Sequence, residues 1–176
     1  MMAPTIRRIV PEDWARARDL RLEALADPEA RIAFLTTLDD ARAEPDEFWR
    51  DRAARAASGG EVLQLLAEDG GALVGTVAVL VQGEGSADYF GAIVTERRAA
   101  LIGVYVVPAS RSAGLLAALV DEACAWTRSH GLATLYLDVH ADNVRARRAY
   151  ERLGFALAGH TFESASGHML QMVRAL

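Results

Sequence analysis

The sequence predicts an α/β (α+β) protein in which a mixed sheet of about seven strands carries four helices. Strand-like and helix-like segments alternate along the chain in the order βααβββαβαββ, which does not fit a sandwich or a helix bundle. Of the 176 residues 52% are hydrophobic, enough to bury one sizeable core. No repeat, linker or low-complexity tract divides the chain, so we expect one domain over residues 1–176.

The first half of the chain reads as a strand, two helices and a hairpin. A short apolar strand precedes a proline and two acidic residues, which favour a helix start, and a second proline begins the next helix. A turn at Asp69-Gly70-Gly71 joins two β-rich runs, which is the signal of a hairpin. The predicted segments are strand 5–10, helix 11–26, an irregular stretch 27–44, helix 46–57, and strands 62–67 and 72–81.

The second half alternates between strand and helix and closes with two strands. An apolar, β-branched run stops at Pro108, and an amphipathic pattern follows at once. A second amphipathic segment stops at Gly154, and glycine is favoured just after a helix. The predicted segments are strand 99–107, helix 111–130, strand 134–140, helix 142–153, and strands 155–162 and 168–174.

Composition excludes several kinds of chemistry. All 19 basic residues are arginine, so a Schiff base, a P-loop lysine and a lysine general base cannot occur. A net charge of -5, with arginines interleaved among acids, argues against a nucleic-acid partner. Cys124 is the only cysteine and the histidines show no ligand spacing, which argues against a disulfide and a metal site. No apolar run reaches the roughly 20 residues that span a bilayer, so we expect a cytoplasmic protein without a membrane partner.

The turn after strand 99–107 has the composition of an anion site. A helix start carries unpaired N–H groups and partial positive charge, which attract phosphate. Ser112, Ala113 and Gly114 are small, so a ligand's phosphates could approach the backbone amides, and Arg111 could add a full charge. Taken alone, such a turn is more often a plain connection into a helix.

Helix 142–153 places a tyrosine on its inner face. Ala146, Ala149, Tyr150 and Leu153 recur at helical spacing, while the arginines of this segment fall on the solvent side. The two alanines beside Tyr150 leave room for a narrow ligand.

Together the two motifs resemble the GCN5-related N-acetyltransferase (GNAT) superfamily. Residues 106–114 match its phosphate signature, V-x-P-x-x-R-x-x-G. The later signature, N-x-x-A-x-x-x-Y-x-x-x-G-F, is met at Asn143, Ala146, Tyr150, Gly154 and Phe155. The motifs occur in the family's order and spacing, and the order of elements agrees over nearly the whole chain.

The resemblance implies that acetyl-CoA is the cosubstrate and lies between two parallel strands that splay apart at Val106 and Val139. It implies an oxyanion-stabilising N–H at Val104 and a proton donor for the departing thiolate at Tyr150, which fits direct attack of an amine on a thioester. The implied cofactor-binding residues are Val104, Val106, Arg111, Ser112, Ala113, Gly114, Leu115, Leu116, Asn143 and Tyr150.

The chain departs from the family pattern in two places. Leu116 stands where glycine or alanine is usual, and no second basic residue accompanies Arg111 in the phosphate turn. Ala100 and Ile102 occupy the strand positions where relatives often carry a general base, and neither can accept a proton. A water chain, or an amine that arrives neutral, would also serve. The remaining side-chain candidates for the base are Glu23, Glu96, Asp138 and His140.

The leading hypothesis is an acetyl-CoA-dependent N-acetyltransferase that acts on the primary amine of a small, cationic molecule. The acidic residues of segment 27–46 favour a cationic acceptor by electrostatic steering, although a solvated acidic loop explains them equally well. One alternative is an acetyltransferase for a protein or peptide amine. The other alternative is a non-catalytic acyl-CoA-binding module. The departures from the family pattern at Ala100, Ile102 and Leu116 favour such a module, whereas Tyr150 favours catalysis. The acceptor, the acyl chain length and a homodimer stay open.

Overall fold

The computed structural model describes residues 4–111 and 114–176, and these residues form seven strands and six α-helices. The strands are β1 (Thr5–Arg8), β2 (Val62–Asp69), β3 (Ala72–Gln82), β4 (Arg98–Val106), β5 (Thr134–His140), β6 (Ala156–Ser164) and β7 (Gly167–Ala175). The helices are α1 (Trp14–Ala26), α2 (Ala30–Ala33), α3 (Leu38–Ala43), α4 (Asp46–Ala57), α5 (Leu115–Ser129) and α6 (Val144–Arg152).

All seven strands belong to one mixed sheet in the order β1-β2-β3-β4-β5-β7-β6. Neighbouring strands are antiparallel except β4 and β5, which are parallel. A parallel pair needs a crossover connection, and α5 supplies it. The predicted mixed sheet of about seven strands is therefore confirmed.

The number of helices differs from the prediction, because the supposedly irregular stretch 27–44 contains α2 and α3. These helices have only 4 and 6 residues, too few for a hydrophobic period to show in the sequence. Thr37 caps α3 by accepting a hydrogen bond from the amide of Asp40 at 3.1 Å. Across the described ranges, no helix combines the length and apolar character needed to cross a membrane.

Helices cover both faces of the sheet and bury a separate core on each. Strand alternation divides the residues between the two faces, so Leu65 lies in the larger core and Leu66 in the smaller. Helices α5 and α6 pack on the larger core, and we call this side the α5 face. Helices α1 and α4 pack on the opposite side, which we call the α1 face. Any side chain between two α5-face residues of a strand therefore points to the α1 face.

Candidate active site

The parallel strands β4 and β5 pair only near their beginnings. Their ladder joins Ala99 to Leu135 and Ala100 to Tyr136, and both strands then continue beyond the last pair. The splay implied by the resemblance is therefore present, and it leaves an opening in the middle of the sheet.

A cavity of about 680 Å³ occupies this opening and reaches both faces of the sheet. From the α1 face, Arg21, Phe34 and Arg52 line it. From the α5 face, Leu116 and Tyr150 line it. One ligand on each face can therefore reach the same opening between β4 and β5.

A β-bulge lies in β4 at the wall of the cavity. The register between β3 and β4 shifts by one residue, so that Gly103 and Val104 together face a single residue of β3. Gly103 has a φ of 60°, in the left-handed region that side chains rarely adopt. A bulge takes a residue out of the regular ladder and re-aims its backbone, which suits the predicted oxyanion role of Val104. Sequence reasoning missed the bulge, although a glycine inside a strand is its usual signal.

Gly114 and the first turn of α5 lie at the wall of the cavity. Gly114, at the N-cap of α5, has a φ of 75° and lines the cavity. Leu115 and Leu116 line it too, in the first turn, where helix amides lack intrahelical acceptors. Ser112 and Ala113, which the motif also places in this turn, lie outside the described residues.

The guanidinium of Arg111 is engaged within the protein. Its Nη2 lies 2.9 Å from Oδ2 of Asp27, and its Nε donates to the carbonyl oxygen of Val106 at 2.9 Å. A hydrogen bond from the Glu29 amide, followed by the contact with Arg111, lowers the pKa of Asp27. These contacts tie the end of β4 to the end of α1 and place a carboxylate beside the charge of Arg111. Contact of Arg111 with a phosphate of the cofactor stays a prediction.

Tyr150 lies on the inner face of α6, as its spacing predicts. Together with Ala146 and Leu153 it packs against the core on the α5 face, and its ring meets Phe155 edge-on at 5.9 Å. Burial raises the pKa of Tyr150 to about 12, which keeps the phenol protonated at neutral pH.

Asn143 is buried at the start of α6 and lines the cavity. Its Oδ1 accepts a hydrogen bond from the Ala146 amide at 3.1 Å. Of the two roles expected for Asn143, capping of its own helix is therefore seen directly, and contact with the cofactor stays a prediction.

Asp138 is the base candidate that combines a suitable position with suitable chemistry. Its strand neighbours Leu137 and Val139 belong to the core on the α5 face, so Asp138 points into the cavity from the α1 face. The hydroxyl of Tyr89 donates to one carboxylate oxygen, and Nε2 of Gln171 lies 3.4 Å from the other. Burial raises the pKa of Asp138, which makes its carboxylate a stronger base.

The other three candidates are less suited to accept a proton. Nδ1 of His140 accepts from the Asp142 amide at 3.1 Å, and its Nε2 lies 2.8 Å from the Ser166 carbonyl oxygen, so both ring nitrogens are already used. Glu23 accepts a hydrogen bond from a tyrosine hydroxyl and does not line the cavity. Glu96 is exposed and also lies outside the cavity wall.

Tyr89, which sequence reasoning did not single out, reaches the site from the loop between β3 and β4. Asp88 fixes this loop by accepting hydrogen bonds from the amides of Phe90 and Ala92, both at 2.9 Å. A salt bridge of 3.2 Å joins Asp88 to Arg98. The available signal was an aromatic pair inside a loop rich in glycine and acidic residues, since loops often carry functional side chains.

These features describe a sheet with an opening that ligands can reach from either face. The sequence matches the model of the Acetyltransferase (GNAT) family over residues 14–155, and the chain belongs to that family. The predicted family and the predicted class of enzyme, an acyltransferase, are both confirmed. No curated protein matches this chain in sequence.

Several solved structures share the fold at low sequence identity. The PaiA N-acetyltransferase of Thermoplasma acidophilum, in complex with coenzyme A, has a TM-score of 0.77 and 19% identity, covering 99% of this chain and 100% of its own. A phosphinothricin acetyltransferase of Sinorhizobium meliloti, in complex with acetyl-CoA, has a TM-score of 0.70 and 18% identity, covering 99% of this chain and 89% of its own. Arabidopsis thaliana NAA60, in complex with a bisubstrate analogue, has a TM-score of 0.68 and 18% identity, covering 98% of this chain and 99% of its own. The predicted cosubstrate, acetyl-CoA, agrees with the first two complexes.

Proposed function

We propose that this protein transfers the acetyl group of acetyl-CoA to the primary amine of a small molecule by direct attack. The observation that carries the proposal is that Asp138 and Tyr150 line the same cavity, Asp138 on its α1-face wall and Tyr150 on its α5-face wall. An amine that enters from the α1 face meets a base, and a leaving group on the α5 face meets an acid.

Each group then has a defined task. Bound acetyl-CoA supplies the acetyl group as a thioester. Asp138 accepts a proton from the amine, whose nitrogen forms the new bond to the carbonyl carbon. The N–H of Val104 donates to the carbonyl oxygen, where negative charge develops. The Tyr150 hydroxyl gives its proton to the sulfur as the C–S bond breaks, so that the products are an amide and a free thiol.

The acidic residues that favoured a cationic acceptor are largely paired with arginines. Glu29 lies 2.6 Å from Arg145, Asp46 lies 3.0 Å from Arg18, and Asp27 is held by Arg111 as described above. An ion pair presents little net charge to a passing ligand, so electrostatic steering by this segment is weak. The proposed acceptor is therefore a small amine, and its charge has to be inferred from other parts of the cavity.

The substitution Asp138→Asn tests the proposed base. We expect kcat for amine acetylation to fall by about 10²- to 10⁴-fold, the range for a general acid or base, while CoA still raises Tm. Asp142→Asn is the matched control, because it is the same change just beyond β5 on a side chain that is 85% exposed. Equal activity of the two variants would overturn the role of Asp138. A separate outcome concerns the wild-type protein: if it binds CoA but releases no thiol with any amine or peptide, the non-catalytic binding module is favoured.

A further inference from the structure

Two arginines of the α1 face line the cavity without a carboxylate partner. Arg21 of α1 and Arg52 of α4 both contribute to its wall. They also line a smaller adjoining cavity, whose wall includes Gly103 of the β4 bulge. Within residues 4–111 and 114–176, neither guanidinium lies within salt-bridge distance of a carboxylate. Burial and a neighbouring arginine lower the pKa of each, the neighbour being Arg52 for Arg21 and Arg55 for Arg52.

Two other arginines of the cavity wall, Arg111 and Arg145, each lie within salt-bridge distance of a carboxylate. Arg152, on α6, also lines the cavity without a salt bridge among the described residues, but it is not paired with a second arginine of the α1 face. Two neighbouring guanidiniums without an opposite charge repel each other and lose part of their hydration. A bound anion would relieve both effects, and an arginine pair offers the forked donors that match carboxylate or phosphonate oxygens.

The local packing fixes one of the two arginines in place. The guanidinium carbon of Arg21 lies 4.3 Å from the centre of the Phe34 ring, within the range of a cation–π contact. Burial and then the proximity of Arg52 lower the pKa of Arg21 to about 10, which still leaves it charged at neutral pH. Arg52 is the more exposed of the two.

We propose that Arg21 and Arg52 bind an anionic group of the acceptor, so that the acceptor is a small amino acid in the broad sense: one molecule with a primary amine and a carboxylate or phosphonate. This inference rests on the proposed acetyl transfer. The arginines lie on the α1 face with Asp138, which would receive the amine of the same molecule. The phosphates of CoA are expected elsewhere, at the start of α5 on the opposite face.

A comparison of matched acceptors tests the proposal by turnover. Initial rates of thiol release are measured with α-amino acids against their methyl esters, and with aminoalkyl phosphonates against the corresponding amino alcohols. We expect the best anionic acceptor to have a KM about 10- to 100-fold below that of its neutral analogue, the value of one or two charge-assisted hydrogen bonds. A neutral analogue that matches the best acid in the wild-type protein would overturn the proposal, and the acid and phosphonate arms show which oxyanion is preferred.

The variants Arg21→Gln and Arg52→Gln locate the effect. Each is expected to raise KM for the anionic acceptor about 10- to 100-fold and to leave KM for the neutral analogue unchanged. Arg42→Gln is the matched control, because Arg42 lies on α3 with a side chain that is 61% exposed and does not line the cavity. Equal effects on both acceptors, or an equal effect of Arg42→Gln, would overturn the proposal. Arg21→Gln removes a repulsion but also the contact with the Phe34 ring, so Tm is measured for each variant, and Arg21→Lys retains the charge if Arg21→Gln does not fold.

A binding measurement separates this proposal from the proposed acetyl transfer. Tm is measured with each amino acid or aminoalkyl phosphonate in the presence of CoA, which permits no transfer. A rise in Tm that requires both arginines supports the anion site even if no amine is acetylated, and in that case only the proposed reaction fails. Acetylation of amines without any preference for the acids would overturn the anion site alone.

Discussion

Tyr150→Phe removes one oxygen atom from the cavity wall and tests the proposed acid directly. The phenyl ring of the variant can still pack against Ala146 and Leu153 and still meet Phe155 edge-on at 5.9 Å. Tyr150 lines the cavity and its hydroxyl has no hydrogen-bond partner among the described residues, so removal of the hydroxyl leaves no polar group unpaired and should not lower Tm. A kinetic defect in this variant would therefore come from chemistry rather than from packing.

The size of the defect follows from the acid strength of Tyr150. A single general acid contributes about 10²- to 10⁴-fold. A phenol whose pKa is raised to about 12 gives up its proton less readily than an ordinary tyrosine, so we expect kcat to fall by the lower end of this range, about 10²-fold. The Kd for CoA should be unchanged, because the hydroxyl acts only as the C–S bond breaks.

The assay is thiol release in a single turnover, which excludes a slow product-release step that could hide a chemical defect. Tyr136→Phe is the matched control, since it makes the same change on β5 at a residue outside the cavity wall. If Tyr150→Phe retains more than about half of the wild-type rate, Tyr150 is only a packing residue and the mechanism needs another acid. A parallel loss in Tyr136→Phe would show that the defect is structural.

Three further outcomes are expected. Because Asp138 must be ionised to accept a proton, kcat/KM should rise with pH through its pKa, which burial places above the ordinary value of 3.8; this limb should be absent from Asp138→Asn, and its persistence there would assign it to another group. CoA at about 100 times its Kd should raise the free energy of unfolding by about 2.7 kcal/mol and should therefore raise Tm. Gly114→Glu should abolish most of this rise, and an unchanged rise would place the phosphates elsewhere. Asn143→Ala should raise KM for acetyl-CoA by a larger factor than it lowers kcat. A larger effect on kcat than on KM would give Asn143 a part in the chemistry.

Periodic segments with clear stop signals could be predicted closely from the sequence. Helix α4 and strand β5 match the predicted segments 46–57 and 134–140 at both ends. In both cases a continuous pattern is followed by turn residues, so local information is sufficient. The inner face of α6 was predicted for the same reason, since it depends on residues that are close in sequence. The phosphate-binding role of the turn before α5 stays a prediction.

The features that escaped prediction depend on contacts between distant parts of the chain. Tyr89 and Asp138 are 49 residues apart, and Arg111 and Asp27 are 84 residues apart, so no local pattern joins them. Asp27, Glu29 and Asp46 appeared free in the sequence, because their arginine partners lie on other elements. Helices of one or two turns carry too little periodicity to be seen.

The opening between β4 and β5 also constrains the order of events in a catalytic cycle. Because its two mouths lie on opposite faces of the sheet, neither substrate blocks the path by which the other enters. A ternary complex can then form, and double-reciprocal plots at several fixed acceptor concentrations should intersect rather than run parallel. In the proposed direct attack no side chain carries the acetyl group between two half-reactions, and the single thiol of the sequence, Cys124, is buried in the core on the α5 face.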